Sequence, residues 1–571
     1  MATLKTVIDE LIHHYQFIVI EASLVMVAVL LALLIGGARR SRRRFEVSFR
    51  HFAQRRLLAV IFVGVLTLVL RVALLPVIPI PVPGTHDEFS YLLAADTFAS
   101  GRLTNPTHPL WMHFESFHIL QQPTYNSMYP IASSVMMALG KVVFGHPWWG
   151  VWLSAGMFCA ALCWMLQGWL PPQWALLGGL IGVIRIGLFS YWMNSYMGGA
   201  LAGLGGVLVL GALPRIMKRP RLVHAIVMGI GVIALANSRP NEGFFTAAGA
   251  MLALLICFLK KRPAWRVLLP RFIVPFGLML VLMCIAMGFY FWRVTGSPVR
   301  MPYQVDRQTY ATAPLFFFSK VGAEPHYNHP VMRDFYVNWE QALYEKTLSL
   351  KGALIRELGK VVTLWLFFFG PALTVPLIML HKVLLDRRLR LLWIATAVAS
   401  IGIIAPAWFN AHYAAPLTGV FYVAILQGLR HLRWCRLGKR RTGLLLAHAV
   451  PLICLIMVPL RVLAKPLHIS MATDWRLTWT HATPGLYGRD AMEKQLSSLP
   501  GQQLVIVRYK PNHDYHTEWV YNDANIDAAK VVWAREMDTA HNQQLLNYFQ
   551  GRTAWLLEAD ENPPRLSAYP R

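Results

Sequence analysis

Leu57-Leu58-Ala59-Val60-Ile61-Phe62-Val63-Gly64-Val65-Leu66-Thr67-Leu68-Val69-Leu70-Arg71-Val72-Ala73-Leu74-Leu75-Pro76 is the stretch that decides the fold. Apolar but for Thr67 and Arg71, it has the roughly 20 residues needed to cross a bilayer. It is entered from Arg55-Arg56 and left through a Pro-rich exit, Pro76–Pro83. Working outward, further apolar runs fall at 17–36, 148–169, 174–191, 196–213, 223–238, 243–259, 272–292, 361–381, 391–408, 413–429 and 443–463. Several are short or broken by Gly or Pro, which spanning helices tolerate when neighbours satisfy the freed backbone. The 571 residues are 56% hydrophobic and 14% charged, with mean hydropathy +0.44. Soluble domains carry roughly 25% charged residues, so the composition predicts a mainly α, polytopic transmembrane helix bundle of about twelve spans. The first run is too long for a signal-peptide core and is followed by Arg-rich sequence, so no cleavable signal is expected.

Net charge is +26 and the pI about 10.1. In a soluble protein that balance would invite nucleic acid, but its placement argues otherwise. Arg39, Arg40, Arg42, Arg43, Arg44, Arg50, Arg55 and Arg56 fill one loop, and Lys218, Arg219 and Arg221 another. Further clusters follow at 260–271, 382–390 and 430–441. Basic clusters beside spans mark the cytoplasmic side and can touch the headgroups of membrane lipids. Nucleic acid is therefore not an expected partner. The six cysteines lie in spans or a cytoplasmic loop by this topology, leaving none for an extracytoplasmic disulfide.

With the Arg loop inside, residues 77–130 form a first outer loop and 293–360 a second, larger one. The count of crossings between Pro130 and Pro214 must be odd, which makes 131–145 a partial or interfacial helix. A membrane domain of 1–463 is thus expected to deliver residues 464–571 to the outside of the cell (inner) membrane, the periplasmic side. That tail carries 11 Lys/Arg against 12 Asp/Glu. Its β-branched runs Leu504–Val507, Val531–Ala534 and Thr553–Leu557 alternate with helix-compatible segments such as Thr539–Phe549. They predict a small extracytoplasmic α/β domain.

Carboxylates are the informative minority, because holding one at a membrane boundary is costly. Between Glu115 and Asp306 the only one is Glu242. Three outer clusters stand out. In Gly84-Thr85-His86-Asp87-Glu88-Phe89-Ser90-Tyr91, Asp87 and Glu88 open an amphipathic segment. They either cap a helix or serve as general base or ligands of a divalent ion, Mg or Mn. In Asn237-Ser238-Arg239-Pro240-Asn241-Glu242-Gly243, Arg239 and Glu242 form a mutual ion pair, or Arg239 holds a phosphate bidentately with Glu242 orienting it. In Trp408–Pro416, His412 and Tyr413 are interfacial anchors or contact a phosphate or sugar. The turn Tyr191–Tyr196 and the segment Tyr125–Pro130 add aromatics and amides, Asn194 and Asn126 among them. Such aromatics fit an interfacial belt, and with the amides they also suit a saccharide. Arg300, Arg307, Lys320, His326 and His329 are further possible phosphate contacts. The spacing of five in His108, His113 and His118 suits no single helix face, which argues against zinc.

The acidic pair followed by a Tyr, Asp87-Glu88-Phe89-Ser90-Tyr91, in the loop after an early span resembles the signature of GT-C glycosyltransferases. Tyr129-Pro130 entering an apolar helix, with Gly140 and Phe144-Gly145 beyond, is similar to the next segment of their bacterial glycosyltransferase 39-like, protein mannosyltransferase-like members. Ser238–Gly243 resembles the Arg-Pro hairpin of an uncharacterised bacterial branch. The likeness covers about 57–430. It implies a hexosyl- or pentosyltransferase that moves a sugar from a polyprenyl-phosphate carrier to an envelope glycan, lipid or protein acceptor, with inversion. It implies Asp87, then Glu88, as base or metal-positioning acid. Relatives often carry a Lys before Tyr-Pro, where this chain has Ser127-Met128. Donor binding would then lean on Arg239 or the second loop, with Glu242, His412, Tyr413, Tyr129 and Asn194 around it. The competing expectation is a polytopic transporter or lipid flippase. Against it, the polar residues crowd one face, whereas transporters gather them near the midplane.

Overall fold

The computed structural model describes residues 13–34, 43–471, 474–480 and 485–570. The end of the first apolar run (35–36) and Arg39, Arg40 and Arg42 lie outside them. Among the described residues, eight helices are long and apolar enough to cross a membrane. These are Gln16–Leu34, Arg56–Ala73, Trp148–Trp169, Gly199–Lys218, Pro240–Lys261, Trp265–Thr295, Leu350–Leu384 and Thr442–Val462. Shorter apolar helices at Ala132–Phe144, Pro172–Leu188, Leu222–Ala236 and Arg390–Ile404 interleave with them. The protein is a mainly helical, multi-pass membrane bundle with a small mixed-sheet domain at its C-terminal end. Outward-facing Leu57, Leu278 and Ile285 are 71%, 57% and 63% exposed. Each such side chain gains about 1.5–3 kcal/mol when removed from water, so this surface suits lipid.

Two local features depart from the expected pattern. The basic stretch before the second span was expected as a loop, but Arg43–Gln54 is helical. No Gly or Pro interrupts it, and Phe49, Phe52 and Ala53 gather on the face packed against the bundle. The Tyr191–Tyr196 turn is buried in the protein instead of lying in an interfacial belt. Tyr191, Trp192 and Tyr196 are at most 2% exposed: Phe367, Phe368 and Trp475 pack over the first two, and the Tyr196 hydroxyl donates to the Pro81 carbonyl at 2.9 Å. The 131–145 segment forms a short helix, Ala132–Phe144, with Val135, Leu139, Val142 and Val143 exposed. It docks through Gly140 against Gly150, where a Cβ would lie 2.3 Å from a backbone nitrogen.

In the C-terminal part the three β-branched runs are strands Gln502–Arg508, Val531–Arg535 and Arg552–Glu558, joined by an edge strand Arg565–Ala568. The first lies centrally, parallel to both of the next two, and the edge strand pairs antiparallel with the third. Helix Thr539–Tyr548 makes the crossover between the outer parallel strands. This domain packs on the first polar loop. Tyr521 stacks on Phe89 at 4.0 Å, Ala524 N–H donates to Asp96 at 2.9 Å, and Arg535 Nε donates to the Glu115 carbonyl at 2.7 Å.

Candidate active site

The site is built around helix His86–Ala99. Thr85 precedes it in extended conformation and Glu88 reaches back, a capping box that satisfies N–H groups the first turn leaves free. One Glu88 oxygen accepts from Gly84 N–H at 2.8 Å and Thr85 N–H at 3.2 Å; the other accepts from Tyr196 N–H at 2.9 Å. Glu88 is 2% exposed. Burial pushes its carboxyl up, and the three backbone donors oppose that. Glu88→Ala strands those donors, each worth about 1–3 kcal/mol when buried. The expected result is a fall of several degrees in the thermal unfolding midpoint in detergent; an unchanged midpoint would remove Glu88 from this role.

Asp87, one residue earlier, points the other way and keeps 26% of its side chain exposed. Its Oδ1 accepts a hydrogen bond from the Tyr129 hydroxyl and lies 2.8 Å from His118 Nδ1. Burial would raise the Asp87 carboxyl, but the hydrogen bonds from His118 and Tyr129 hold it well below the usual carboxylate range. The effect on His118 is reciprocal. Burial lowers it, and Asp87, Asp306 and Glu340 more than reverse that, leaving the imidazole above its ordinary value. His118 sits in the left-handed region, φ 61. Its carbonyl is held there by Ser90 Oγ at 2.6 Å and by Met128 N–H at 3.3 Å. Strain of that kind persists only where the surroundings fix it.

Tyr91 stacks on Tyr129 at 4.6 Å and carries the pocket towards the two hairpins. The Arg239 guanidinium lies 4.2 Å over the Tyr413 ring, and Tyr91 feels the charges of both Arg239 and Asp87. Glu242 sits one helical turn beyond Arg239 and is buried. Among the described residues the two form no ion pair, so the mutual-pair reading of this hairpin is replaced by an Arg stacked on a Tyr. His412 is 2% exposed, with Nδ1 2.7 Å from the Tyr191 hydroxyl, and is no interfacial anchor. Asn194 accepts from Arg71 Nε at 3.0 Å and donates to the Leu188 and Ser190 carbonyls, each at 2.9 Å. Asp87, Tyr129, Tyr91, Arg239 and Tyr413 are thus linked by a continuous chain of contacts, while Glu88 and Asn194 spend their side-chain polar atoms on the surrounding frame.

The second polar loop closes another side. Arg307 pairs with both Glu340 oxygens, at 2.7 and 3.0 Å, and His329 Nε2 meets the Met112 carbonyl at 2.7 Å. Both are thereby committed within the fold. Asp306 is fully buried, and neither of its oxygens has a partner among the described residues. Burial raises its carboxyl to about 6.

The acidic pair does not fit a divalent ion. Glu88 turns away from Asp87 with both oxygens taken by backbone N–H groups, and Asp87 Oδ1 is shared between Tyr129 and His118. No group of three or more His, Cys, Asp or Glu is arranged for a metal among the described residues.

The fold has remote likenesses among glycosyltransferases. The Archaeoglobus fulgidus oligosaccharyltransferase tethered to an acceptor peptide aligns with TM-score 0.46 and 12% identity, over 89% of this chain and 69% of its own. The oligosaccharyltransferase AglB from Archaeoglobus fulgidus, in complex with an inhibitory peptide and a dolichol-phosphate, aligns with TM-score 0.45 and 12% identity over the same shares, 89% and 69%. ArnT from Cupriavidus metallidurans bound to undecaprenyl phosphate aligns with TM-score 0.43 and 14% identity, over 86% of this chain and 92% of that one. No family model and no curated protein matches the sequence.

In the sequence His118 stands out only as one of three evenly spaced histidines, and Asp306 only as an isolated carboxylate. Nothing in the local spacing announces either one. His118 reaches Asp87 across 31 positions only because Ile119–Leu120 pairs back onto Asn126–Ser127 and fixes the loop. The unbroken polar segment around His86 gave no hint that Tyr521, from the C-terminal domain, bonds its Nδ1 at 2.6 Å.

Proposed function

We propose that this protein is a membrane glycosyltransferase that moves a sugar from a polyprenyl-phosphate carrier to an envelope acceptor on the extracytoplasmic side. One observation carries the reading: a partly exposed Asp87 and an Arg239 that no carboxylate pairs among the described residues act on the same two tyrosines, Tyr91 and Tyr413. A displacement at a sugar's anomeric carbon needs both poles. The acceptor hydroxyl must lose its proton as it attacks, and the departing lipid phosphate must be stabilised. Arg239 supplies the phosphate pole, since a guanidinium forks onto phosphate oxygens in a way a lysine does not. Arg239 lies over the Tyr413 ring and hydrogen-bonds the Tyr91 and Tyr413 hydroxyls, neutral partners that leave its charge uncompensated for an anion. Tyr129 and Tyr413, both partly exposed, supply aromatic surface for a saccharide, with Tyr91 buried behind Tyr129. The donor class comes from the resemblance of Asp87–Tyr91 to the GT-C signature, and the side of the membrane from the basic loops.

The test is mass spectrometry of envelope glycans, lipids and proteins from a strain lacking the gene. One sugar substituent is expected to disappear and to return on complementation with the wild type. Liposomes holding the purified protein and the matching lipid-phosphate sugar should then release free polyprenyl phosphate. An unchanged envelope, together with movement of the lipid-linked sugar across the liposome without transfer, would instead establish a flippase.

A further inference from the structure

We propose that the atom receiving the acceptor's proton is Nε2 of His118, with Asp87 as the partner that orients and holds the ring. The assignment rests on the transferase reading above and deepens it.

The geometry is that of a carboxylate-imidazole pair. His118 Nδ1 is 2.8 Å from Asp87 Oδ1, so in the neutral ring the hydrogen sits on Nδ1 and the lone pair on Nε2. Tyr129 donates its hydroxyl hydrogen to the same Asp87 oxygen and lies 3.1 Å from Nδ1, which fixes the Asp87–His118 contact from its flank. Nε2 makes no hydrogen bond among the described residues, and the side chain keeps 13% exposure. The backbone is held at φ 61 by Ser90 and Met128. That is a conformation a β-carbon disfavours, and it is maintained at the one histidine that touches Asp87. Both donors sit on Oδ1 and stabilise the charged carboxylate as a whole, which makes Asp87 a weak base, whereas the imidazole has a free lone pair.

The step balances without any further reactant. The acceptor oxygen forms its bond to the anomeric carbon while the bond from that carbon to the phosphate oxygen breaks, its electron pair leaving with the lipid phosphate. The hydroxyl proton passes to Nε2, giving an imidazolium whose Nδ1–H stays on Asp87. Release of that proton to water restores the pair.

The groups facing His118 set its response to pH. Asp87 and His86 approach from the motif helix, with the His86 ring at 5.9 Å. Tyr129 closes the strand side, Asp306 comes from helix Pro302–Tyr310, and Glu340 from the helical segment Asp334–Gln341. The three carboxylates raise the imidazole against burial. Because the neutral ring is the active form, transfer should rise with pH along a limb centred above the ordinary histidine value. If Asp87 itself took the proton, the rate would be flat between about pH 5 and pH 8, because its carboxyl is ionised throughout.

The experiment measures kcat/KM against pH for wild type, His118→Gln and Asp306→Asn, with the polyprenyl-phosphate-linked form of the sugar that disappears from the envelope of the deletion strain. Expected are a rising limb in the wild type, its displacement to lower pH in Asp306→Asn, and a loss of about 10²–10⁴-fold in His118→Gln with the limb abolished in what remains. A flat wild-type profile, or a limb that survives in His118→Gln, overturns the assignment to His118 and leaves the transferase reading standing. A wild type inert towards every polyprenyl-phosphate sugar overturns both.

Discussion

Asp87→Asn should lower transfer by about 10²–10⁴-fold while the protein still inserts and folds, because the loss of one proton-handling partner has that size. Asn keeps the shape of Asp but has one acceptor oxygen and an NH₂ group in place of a shared carboxylate. It cannot accept from Tyr129 and hold the Nδ1–H tautomer of His118 with the same charge. The substitution has a second signature in stability. The Asp87 carboxyl lies below its unfolded value, so its contribution is present above the ordinary carboxylate range and lost as pH falls through the folded value. His118 lies above its unfolded value, so its contribution is present at low pH and lost as pH rises through the folded value. The pair therefore stabilises most between about pH 4 and pH 7. Wild type and Asp87→Asn should differ most in thermal midpoint within that window and converge on either side. Near wild-type activity in a well-folded Asp87→Asn would take Asp87 out of the chemistry.

The bundle was legible because lipid imposes a coarse rule. A run such as 57–76 must be helical wherever it packs, and twelve such runs with basic ends leave few topologies. The C-terminal strands were legible for a similar reason, since Leu504–Val507 and Val531–Ala534 are short, β-branched and bounded by turns. The pocket was half legible. Asp87, Tyr129, Arg239 and Tyr413 bear polar or aromatic chemistry at turns between apolar runs, and contacts through Tyr91 link them in the structure. What charge and position could not separate were Asp87 and Glu88. Adjacent helix residues point about 100° apart, and only the location of the Tyr196 N–H reveals that Glu88 serves the frame. Glu21 and Arg185 escaped notice altogether. Each is a lone charge inside an apolar run, and no local pattern names a partner 164 positions away.

That partnership predicts the largest stability effect in the molecule. Glu21 and Arg185 are fully buried and joined by bonds of 2.9 and 3.0 Å from Arg185 Nη1 to both carboxylate oxygens. Arg185 Nη2 donates to the Phe369 carbonyl at 3.0 Å, and the guanidinium lies 4.8 Å over the Trp479 ring. Glu21 also accepts from Ala372 N–H at 3.1 Å and Trp479 Nε1 at 2.7 Å. Four segments distant in sequence meet there, and Gly370 (φ 58) permits it, since a Cβ would lie 2.6 Å from Arg185 Nη2. Glu21→Gln leaves an uncompensated cation inside the bundle and should cost about 3–5 kcal/mol, because breaking a buried pair from one side is far worse than removing it. The double change Glu21→Leu with Arg185→Met takes out both charges and should restore most of that loss, read as the midpoint of thermal unfolding in detergent. If the single and double variants fall equally, the pair is not what holds these helices, and the stacking of Trp479 over this site must carry the junction instead.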